Sequence, residues 1–536
     1  MKQKRILCVF AVIMLAFCLV EGKVFLLSTN QSFADKAENQ AQIQITLSDT
    51  RGNIYDRKGK SFTGGALKYY ALSIPGENNY TEIFSHTSYS NQNLLYKNRN
   101  SSAPFLIEVN QDLSNKGIRT FAIPQRYSDF PLAQHLIGYV DSTGRGVCGI
   151  EKAYEDVLYS KENNVIKYAK TAQGNLIDDK IIESNRKKKS LGIVLTLDKP
   201  IQKACEGISA KNISQGCIIV LESKTAKILA CTSIPGYNPN AIYKSIQSDD
   251  TSLLNRAFCE FSVGSVFKPI LAAAAIEKGW DWYSYKCDGF IQIKDQIFHC
   301  AAHKAHGKLN IEKALCESCN CFFIDLGQKL NAKELLQTAS LFRLGKPIYL
   351  GGNLKTADGN LPSEATLQNA GQLANMSFGQ GLLAATPLQV AAAMNVLASD
   401  GRYRSPQLIA GIINEENGKI EEQKNSENSL PAIKSDTAAY LRKMLKAVVN
   451  EGIGQDAMPT FGGAGGKTGT AQTGSFDETG KEKMNYWFAG FYPAEKPEYT
   501  IVVMQDGVVK PRVSSGKIFA QVCDVLYWLE KSTEKS

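Results

Sequence analysis

The chain has 536 residues, 43% hydrophobic and 21% charged, too long for one ordinary domain and too apolar for general disorder, so about two to four packed domains are expected. The net charge of +9 is modest for this length, and its one dense basic run, Arg186-Lys187-Lys188-Lys189, stands alone. A nucleic-acid-binding face is therefore excluded. The run reads as a solvated loop or a domain junction, and the mildly basic exterior suits a polyanionic environment.

At the N-terminus Lys2, Lys4 and Arg5 precede an apolar run from Ile6 to Val20, closed by Glu21-Gly22-Lys23. A basic flank before an apolar segment marks export. The run is shorter than the roughly 20 residues that span a bilayer. No small-x-small cleavage site follows it, and Leu15-Ala16-Phe17-Cys18 carries a bulky Phe where a lipoprotein box needs a small residue. An uncleaved signal anchor over residues 1–23 is expected, N-terminus cytoplasmic and the rest exported. Residues 24–50, rich in Asn, Gln, Ser and Ala, read as a stalk. From 51 to about 190 short strand-like and helical pieces alternate with polar loops, the longest from Asn78 to Asn100, as in an irregular α+β module. Thirteen cysteines leave eleven outside the apolar run, an odd number. Most, such as Cys217 and Cys231, read as small buried hydrophobes.

From about 191 the texture changes. Residues 193–197 lead into a helical stretch, and 216–233 form two β-runs about a turn at 223–226, a hairpin signal. A mostly helical middle follows, including 265–278 and 387–398. The chain closes with strand-like 465–473, 486–492 and 499–504, then an amphipathic helix over 517–530 with Ile518, Val522, Val525 and Leu529 on one face. Strands at both ends with helices between predict an antiparallel sheet covered by helices.

Three short motifs in this region carry chemistry. Ser265-Val266-Phe267-Lys268 sets a lysine one helical turn after a serine, at the head of the apolar run Ile270–Ile276. A serine hydroxyl needs a base to act as a nucleophile. A lysine held in apolar surroundings loses solvation, its pKa falls, and its neutral amine can take the serine proton. Ser318-Cys319-Asn320 supplies a hydroxyl and an amide to relay a proton and to hold Lys268 and substrate. Lys467-Thr468-Gly469-Thr470 opens a β-run that can pair with an extended peptide. There Lys467, Thr468 and Thr470 face a substrate carboxylate and Gly469 keeps the wall clear. The backbone N–H groups of Ser265 and Thr470 form the expected oxyanion hole.

S-x-x-K, S-x-N and K-T-G, in this order, are shared by penicillin-binding proteins and serine β-lactamases. The whole chain resembles the class B, monofunctional penicillin-binding proteins. Arg51–Gly59 resembles the motif opening that family's pedestal, Gly149-Ile150-Glu151 with Tyr154 its second pedestal motif, and Leu195–Asp198 the entry to its catalytic domain. Ser377–Gly381, Thr386–Gln389 and Trp487–Phe491 fit as well. Arg51, Asp56, Arg57 and Glu151 are read as structural ion pairs rather than catalytic groups.

The resemblance implies a multidomain α+β protein: anchor (1–23), pedestal (24–190), and a serine β-lactamase-like transpeptidase domain (191–536). It implies a membrane-bound D,D-transpeptidase of peptidoglycan and cell-wall biosynthesis. Ser265 would be acylated by a stem peptide ending in D-Ala-D-Ala, release D-Ala, and pass the acyl group to a neighbouring strand's amine. β-Lactams would be trapped on Ser265. The expected site is Ser265, Lys268, Ser318 and Asn320 for catalysis, with Lys467, Thr468, Gly469 and Thr470 for substrate. No metal and no organic cofactor is implied. Partners would be a glycosyltransferase or other cell-wall synthesis proteins, and no nucleic acid. A D,D-carboxypeptidase, a β-lactamase or β-lactam sensor, and a non-catalytic wall scaffold are the alternatives. The 24–190 region lacks a glycosyltransferase's glutamate motif.

Cysteines near the second motif raise one further expectation. His299-Cys300-Ala301-Ala302-His303-Lys304-Ala305-His306 holds three of the five histidines, with Cys287 thirteen residues before Cys300. A zinc site is set aside because the His306-Gly307 step and Leu309–Leu315 resemble the family's ordinary approach to S-x-N. Cys300 and Cys319 are read instead as a possible redox pair, kept active by a thiol reductase. Cys287–Cys300 is the rival structural pair, and two unpaired buried thiols the plainer reading.

Overall fold

The computed structural model describes residues 2–29, 42–73, 79–100, 104–170, 176–184, 191–248, 251–423 and 429–534. The chain divides into two compact units: residues 1–51, 66–126 and 160–189, and residues 52–65, 127–159 and 190–536. Residues 52–65 and 127–159, taken from sequence as pedestal, thus group with the larger unit.

In the smaller unit an N-terminal helix runs Lys2–Ser28. Its apolar stretch, Arg5–Ser28, has 24 residues and a mean hydropathy of 2.3. At about 1.5 Å per residue that is long enough to cross a bilayer. The anchor expected over residues 1–23 is thus bounded too early: Glu21 and Lys23 sit within one helix that resumes its apolar course at Val24–Leu27. The stalk reading is corrected at its other end as well, where Gln42–Arg51 is a strand; residues 30–41 lie outside the described part. An antiparallel sheet orders Phe105–Val109, Ala66–Ser73 and Thr120–Gln125. The supposed polar loop 78–100 contains two helices, Tyr80–Ser85 and Tyr89–Lys97. Each buries one residue, Ile83 or Leu95, in a core with Ala71, Ile107 and Val109, too sparse a signal to stand out in a polar stretch.

The larger unit is built on β1 (Gly216–Glu222), β2 (Ile228–Cys231), β7 (Gly465–Phe476), β8 (Glu482–Tyr492) and β9 (Tyr499–Val508). They form one antiparallel sheet in the order β2-β1-β9-β8-β7. Along β1, Cys217, Ile219 and Leu221 enter one apolar cluster while Ile218 and Val220 enter another. Val502 and Met504 of β9 likewise separate from Ile501 and Val503. This period of two, with both faces apolar, marks a sheet covered on both sides.

One cover is α1 (Lys199–Asn212) with α8 (Ser515–Glu534). The other is helical: α2 (Lys268–Glu277), α3 (Ile311–Cys316), α4 (Asn320–Leu341), α5 (Ala370–Ser377), α6 (Pro387–Ala398) and α7 (Ser435–Asn450). α6 is buried along its whole length and opens with a capping box from Thr386 and Gln389. Between α2 and α3 the chain makes two small ribbons. β3 (Ser284–Cys287) pairs with β6 (Gly307–Asn310), and β4 (Phe290–Ile293) pairs with β5 (Gln296–His299).

Candidate active site

The serine motif begins in a 3-10 turn, Gly264–Phe267, that feeds α2. Gly264 has φ +59°, and a side chain there would meet the Thr470 carbonyl oxygen at 2.5 Å. A side chain on Gly379, φ +86°, would in turn meet the Gly264 oxygen. The turn carrying Ser265 is thus wedged between β7 and the Gly379 loop, with Gly264 N donating to Gly379 O at 2.8 Å. Only glycine fits such close backbone approach at positive φ. Trp487 of β8 donates from Nε1 to Ser262 O at 3.1 Å and fixes the approach to the turn.

Lys268 opens an all-buried helical stretch through Ala275 and is itself fully buried. Burial pushes its ammonium down to about 7, against a smaller opposing effect of the thiols at 319, 300 and 321. Its Nζ donates to Ser318 O at 2.6 Å, Asn320 Oδ1 at 2.7 Å and Ser318 Oγ at 3.2 Å. Ser318 has φ +51°, the left-handed region a non-glycine residue rarely enters. That conformation presents its carbonyl and its hydroxyl to the same amine. Asn320 Nδ2 donates to His299 O at 3.1 Å, which fixes the amide with its oxygen toward Lys268.

Lys467, Thr468, Gly469 and Thr470 lie on β7, the free edge of the sheet. An edge strand keeps unpaired backbone groups for an extended partner. Lys467 is fully buried, with Nζ donating to Thr468 Oγ1 at 3.3 Å. Burial, and then the nearby Lys268, holds it well below the usual lysine range. Gly469 faces Val266 and Trp487, where a side chain would meet Val266 Cγ1 at 2.9 Å. Gln380 donates its side-chain amide to Thr470 O at 3.4 Å.

The structure therefore brings Lys268 directly onto Ser318 and Asn320, and sets Gly264 and Val266, which flank Ser265, against Thr470 and Gly469. Three contributors were not singled out as site residues: the Ser318 carbonyl, the Gly264–Gly379 contact, and Gln380. The glycines of Ser377–Gly381 were the available signal; nothing in the sequence shows the carbonyl. A separate cleft of about 1520 Å³, lined by Arg57, Lys224, Arg343 and Arg402 among others, includes none of the motif residues.

Cys300 and Cys319 are both buried free thiols with Sγ atoms 3.6 Å apart. They are not alone: Cys321 Sγ lies 3.4 Å and Cys287 Sγ 3.7 Å from Cys300 Sγ. Of the charged residues at 51, 56, 57 and 151, Arg57 pairs with Glu222 at 3.4 Å. The buried Asp56 accepts from the backbone N–H groups of Lys58, Lys60 and Lys199, and the buried Glu151 has Tyr127 Oη among its partners, donating to it at 2.9 Å.

The penicillin binding protein transpeptidase domain family matches residues 216–524. A peptidoglycan D,D-transpeptidase FtsI homolog of Mesostigma viride is 27% identical, over 94% of this chain and 91% of its own. Among solved structures, the D,D-transpeptidase domain of a peptidoglycan glycosyltransferase from Eggerthella lenta superposes with a TM-score of 0.66 at 22% identity, covering 90% of this chain and 99% of that one. Penicillin binding protein 3 from Mycobacterium tuberculosis, complexed with aztreonam, gives 0.65 at 21% identity, with 92% and 97% covered.

Proposed function

We propose that this chain, which belongs to the penicillin-binding protein transpeptidase family and to its class B, is a serine D,D-transpeptidase that cross-links peptidoglycan and is inhibited by β-lactams. The observation that carries the reading is the buried Lys268, held between Ser318 and Asn320 one helical turn after Ser265. With its pKa near 7, much of Lys268 is neutral at neutral pH. A neutral amine has two N–H donors and one lone pair. The short contacts to Ser318 O and Asn320 Oδ1 use the donors and leave the lone pair for the Ser265 proton.

Ser265 Oγ then attacks the penultimate D-Ala carbonyl while Lys268 takes its proton. The C–N bond breaks, and terminal D-Ala leaves with a proton relayed through the Ser318 hydroxyl. An amine from a second stem peptide attacks the ester, loses a proton and frees Ser265. Lys467 binds the substrate carboxylate: an anion beside it would draw it back to the charged form that burial disfavours. The Lys2–Ser28 helix would anchor the enzyme in a single pass, with the catalytic unit outside the cytoplasm. A glycosyltransferase supplying glycan strands would be its partner.

Fluorescent penicillin should label the membrane-bound protein slowly but durably, and Ser265→Ala should lose the label while keeping its melting temperature. Rapid release of the label would point to a β-lactamase, and absence of labelling to a scaffold.

A further inference from the structure

The ribbons between α2 and α3 have almost no core of their own. From Ser284 to Asn310 the buried side chains are Cys287, Cys300, His306 and Leu309, of which only Leu309 is an aliphatic core residue. Excursions this poor in apolar contacts usually need a covalent or metal staple.

The sulfurs are arranged for one. Cys287 Sγ is 3.7 Å from Cys300 Sγ and 3.4 Å from His306 Nδ1, and Cys300 Sγ is 3.6 Å from Cys319 Sγ. All four ligand atoms lie within 4.8 Å of one another. Zinc bonds of about 2.3 Å to sulfur and 2.0 Å to nitrogen, at tetrahedral angles, put neighbouring ligand atoms about 3.5–3.8 Å apart. A disulfide would need sulfurs about 2 Å apart. The surroundings fit metal thiolates as well. Cys287 Sγ accepts from Gly289 N, and Cys319 Sγ from Phe322 N, each at 3.4 Å. His306 turns Nδ1 inward while Nε2 faces Glu317 Oε2 at 3.9 Å, the carboxylate backing common behind a metal-bound imidazole.

We propose that Cys287, Cys300, His306 and Cys319 bind one zinc-class divalent cation, which staples both ribbons to the start of α4 and so holds the Ser318–Asn320 turn against Lys268. This replaces the expectation of no metal. The cation takes three thiolates and a neutral imidazole, and three thiol protons are released to solvent. The four ligands come from the end of β3, the residue after β5, the residue before β6 and the N-cap of α4. Cys319 is thus at once a ligand, a helix cap and the middle residue of S-x-N, so displacement of the cation is felt at both neighbours. Cys321 Sγ, 3.4 Å from Cys300, lies outside the quartet as a fifth thiol.

The test uses the full-length protein in detergent under reducing conditions. About one equivalent of zinc should co-purify. Exchange for cobalt should give the visible bands of tetrahedral, thiolate-bound Co²⁺. Cys287→Ser and His306→Ala should weaken cobalt binding at least tenfold, Glu317→Gln less, and Cys321→Ser should leave the bands in place. If the ligand variants do not fold, cobalt titration of the metal-free wild type decides. Thiols that bind neither metal, or a Cys300–Cys319 disulfide mapped in the purified protein, would overturn the site. The link to Lys268 rests on the proposed transpeptidase reading: metal removal should slow penicillin acylation at least tenfold and metal return should restore it. Equal rates with and without metal would overturn the link, whereas absence of labelling in the metal-loaded protein would count against the transpeptidase reading and leave the spectra to judge the site.

Discussion

The two walls of the candidate active site are held in different ways. Ser265 and Lys467 stand on segments packed into the main sheet and its helices, where β1 alone buries six successive residues. Ser318 and Asn320 follow ribbons whose 27 residues bury the side chains of Cys287, Cys300, His306 and Leu309, with Leu309 the one aliphatic among them. The first wall derives its rigidity from area removed from water, spread over many side chains. The second depends on a few polar and sulfur contacts, each of which matters more. Lys268 joins them: its backbone belongs to the packed wall and its Nζ bonds the thin one.

Removing that bridge should have the largest effect. Lys268→Ala should lower the acylation rate constant by at least ~10³-fold, because nucleophile and base act as a unit. Stopped-flow acylation measures it; a loss under tenfold would mean that the base lies elsewhere. The same amine should set the pH dependence. Its pKa is lowered to about 7, and only the neutral form accepts a proton. Acylation should therefore rise with pH through about 7 and fall about tenfold per unit below it. A limb near the ordinary lysine value would show that Lys268 is solvated, and the contrast between the walls would fail.

On the packed wall, Gly379→Ala should be next in severity. The added methyl would overlap the Gly264 carbonyl and would sit at φ +86°, so the turn carrying Ser265 must shift. A displacement of about 1 Å can cost about 10²-fold in rate. Acylation should fall by that order while the cysteine cluster's reactivity toward thiol reagents stays unchanged. If both change together, the walls are not separately held.

The packed wall was the more legible of the two. Alternating apolar residues announced β1, β2 and the three C-terminal strands, and their order at the two ends of the domain gave the covered antiparallel sheet. S-x-x-K ahead of an apolar helix announced a buried lysine because pattern and burial coincide there. The thin wall was legible only as letters. The left-handed Ser318, which turns its carbonyl to Lys268, depends on how the chain leaves α3. A zinc site was set aside and the cysteines were then weighed in pairs, since sequence spacing cannot show that two ribbons bring Cys287, Cys300, His306 and Cys319 to one point. The Tyr80 and Tyr89 helices were missed for a related reason: each contributes one buried apolar residue, below what periodicity can detect.

The smallest predicted effect compares one hydrogen bond from each wall. Trp487→Phe removes the bond from Nε1 to Ser262 O and leaves that carbonyl short of a donor, at a cost of about 1 kcal/mol. Asn310→Ala removes the N-cap of α3, where Oδ1 accepts from Lys313 N at 2.9 Å, at a similar cost of about 1 kcal/mol. Equal local losses should be felt at different ranges. Trp487 is buried where β8 meets the approach to the serine turn, so its loss should lower the unfolding midpoint of the whole catalytic unit. Asn310 ends a ribbon with little core, where local opening needs little free energy. Its loss should leave the midpoint in place and speed hydrogen exchange at residues 284–316 alone. Exchange resolved by peptide, read beside thermal unfolding, separates the two outcomes. If Asn310→Ala lowers the midpoint as far as Trp487→Phe does, the ribbons unfold together with the sheet and the two walls form one cooperative unit.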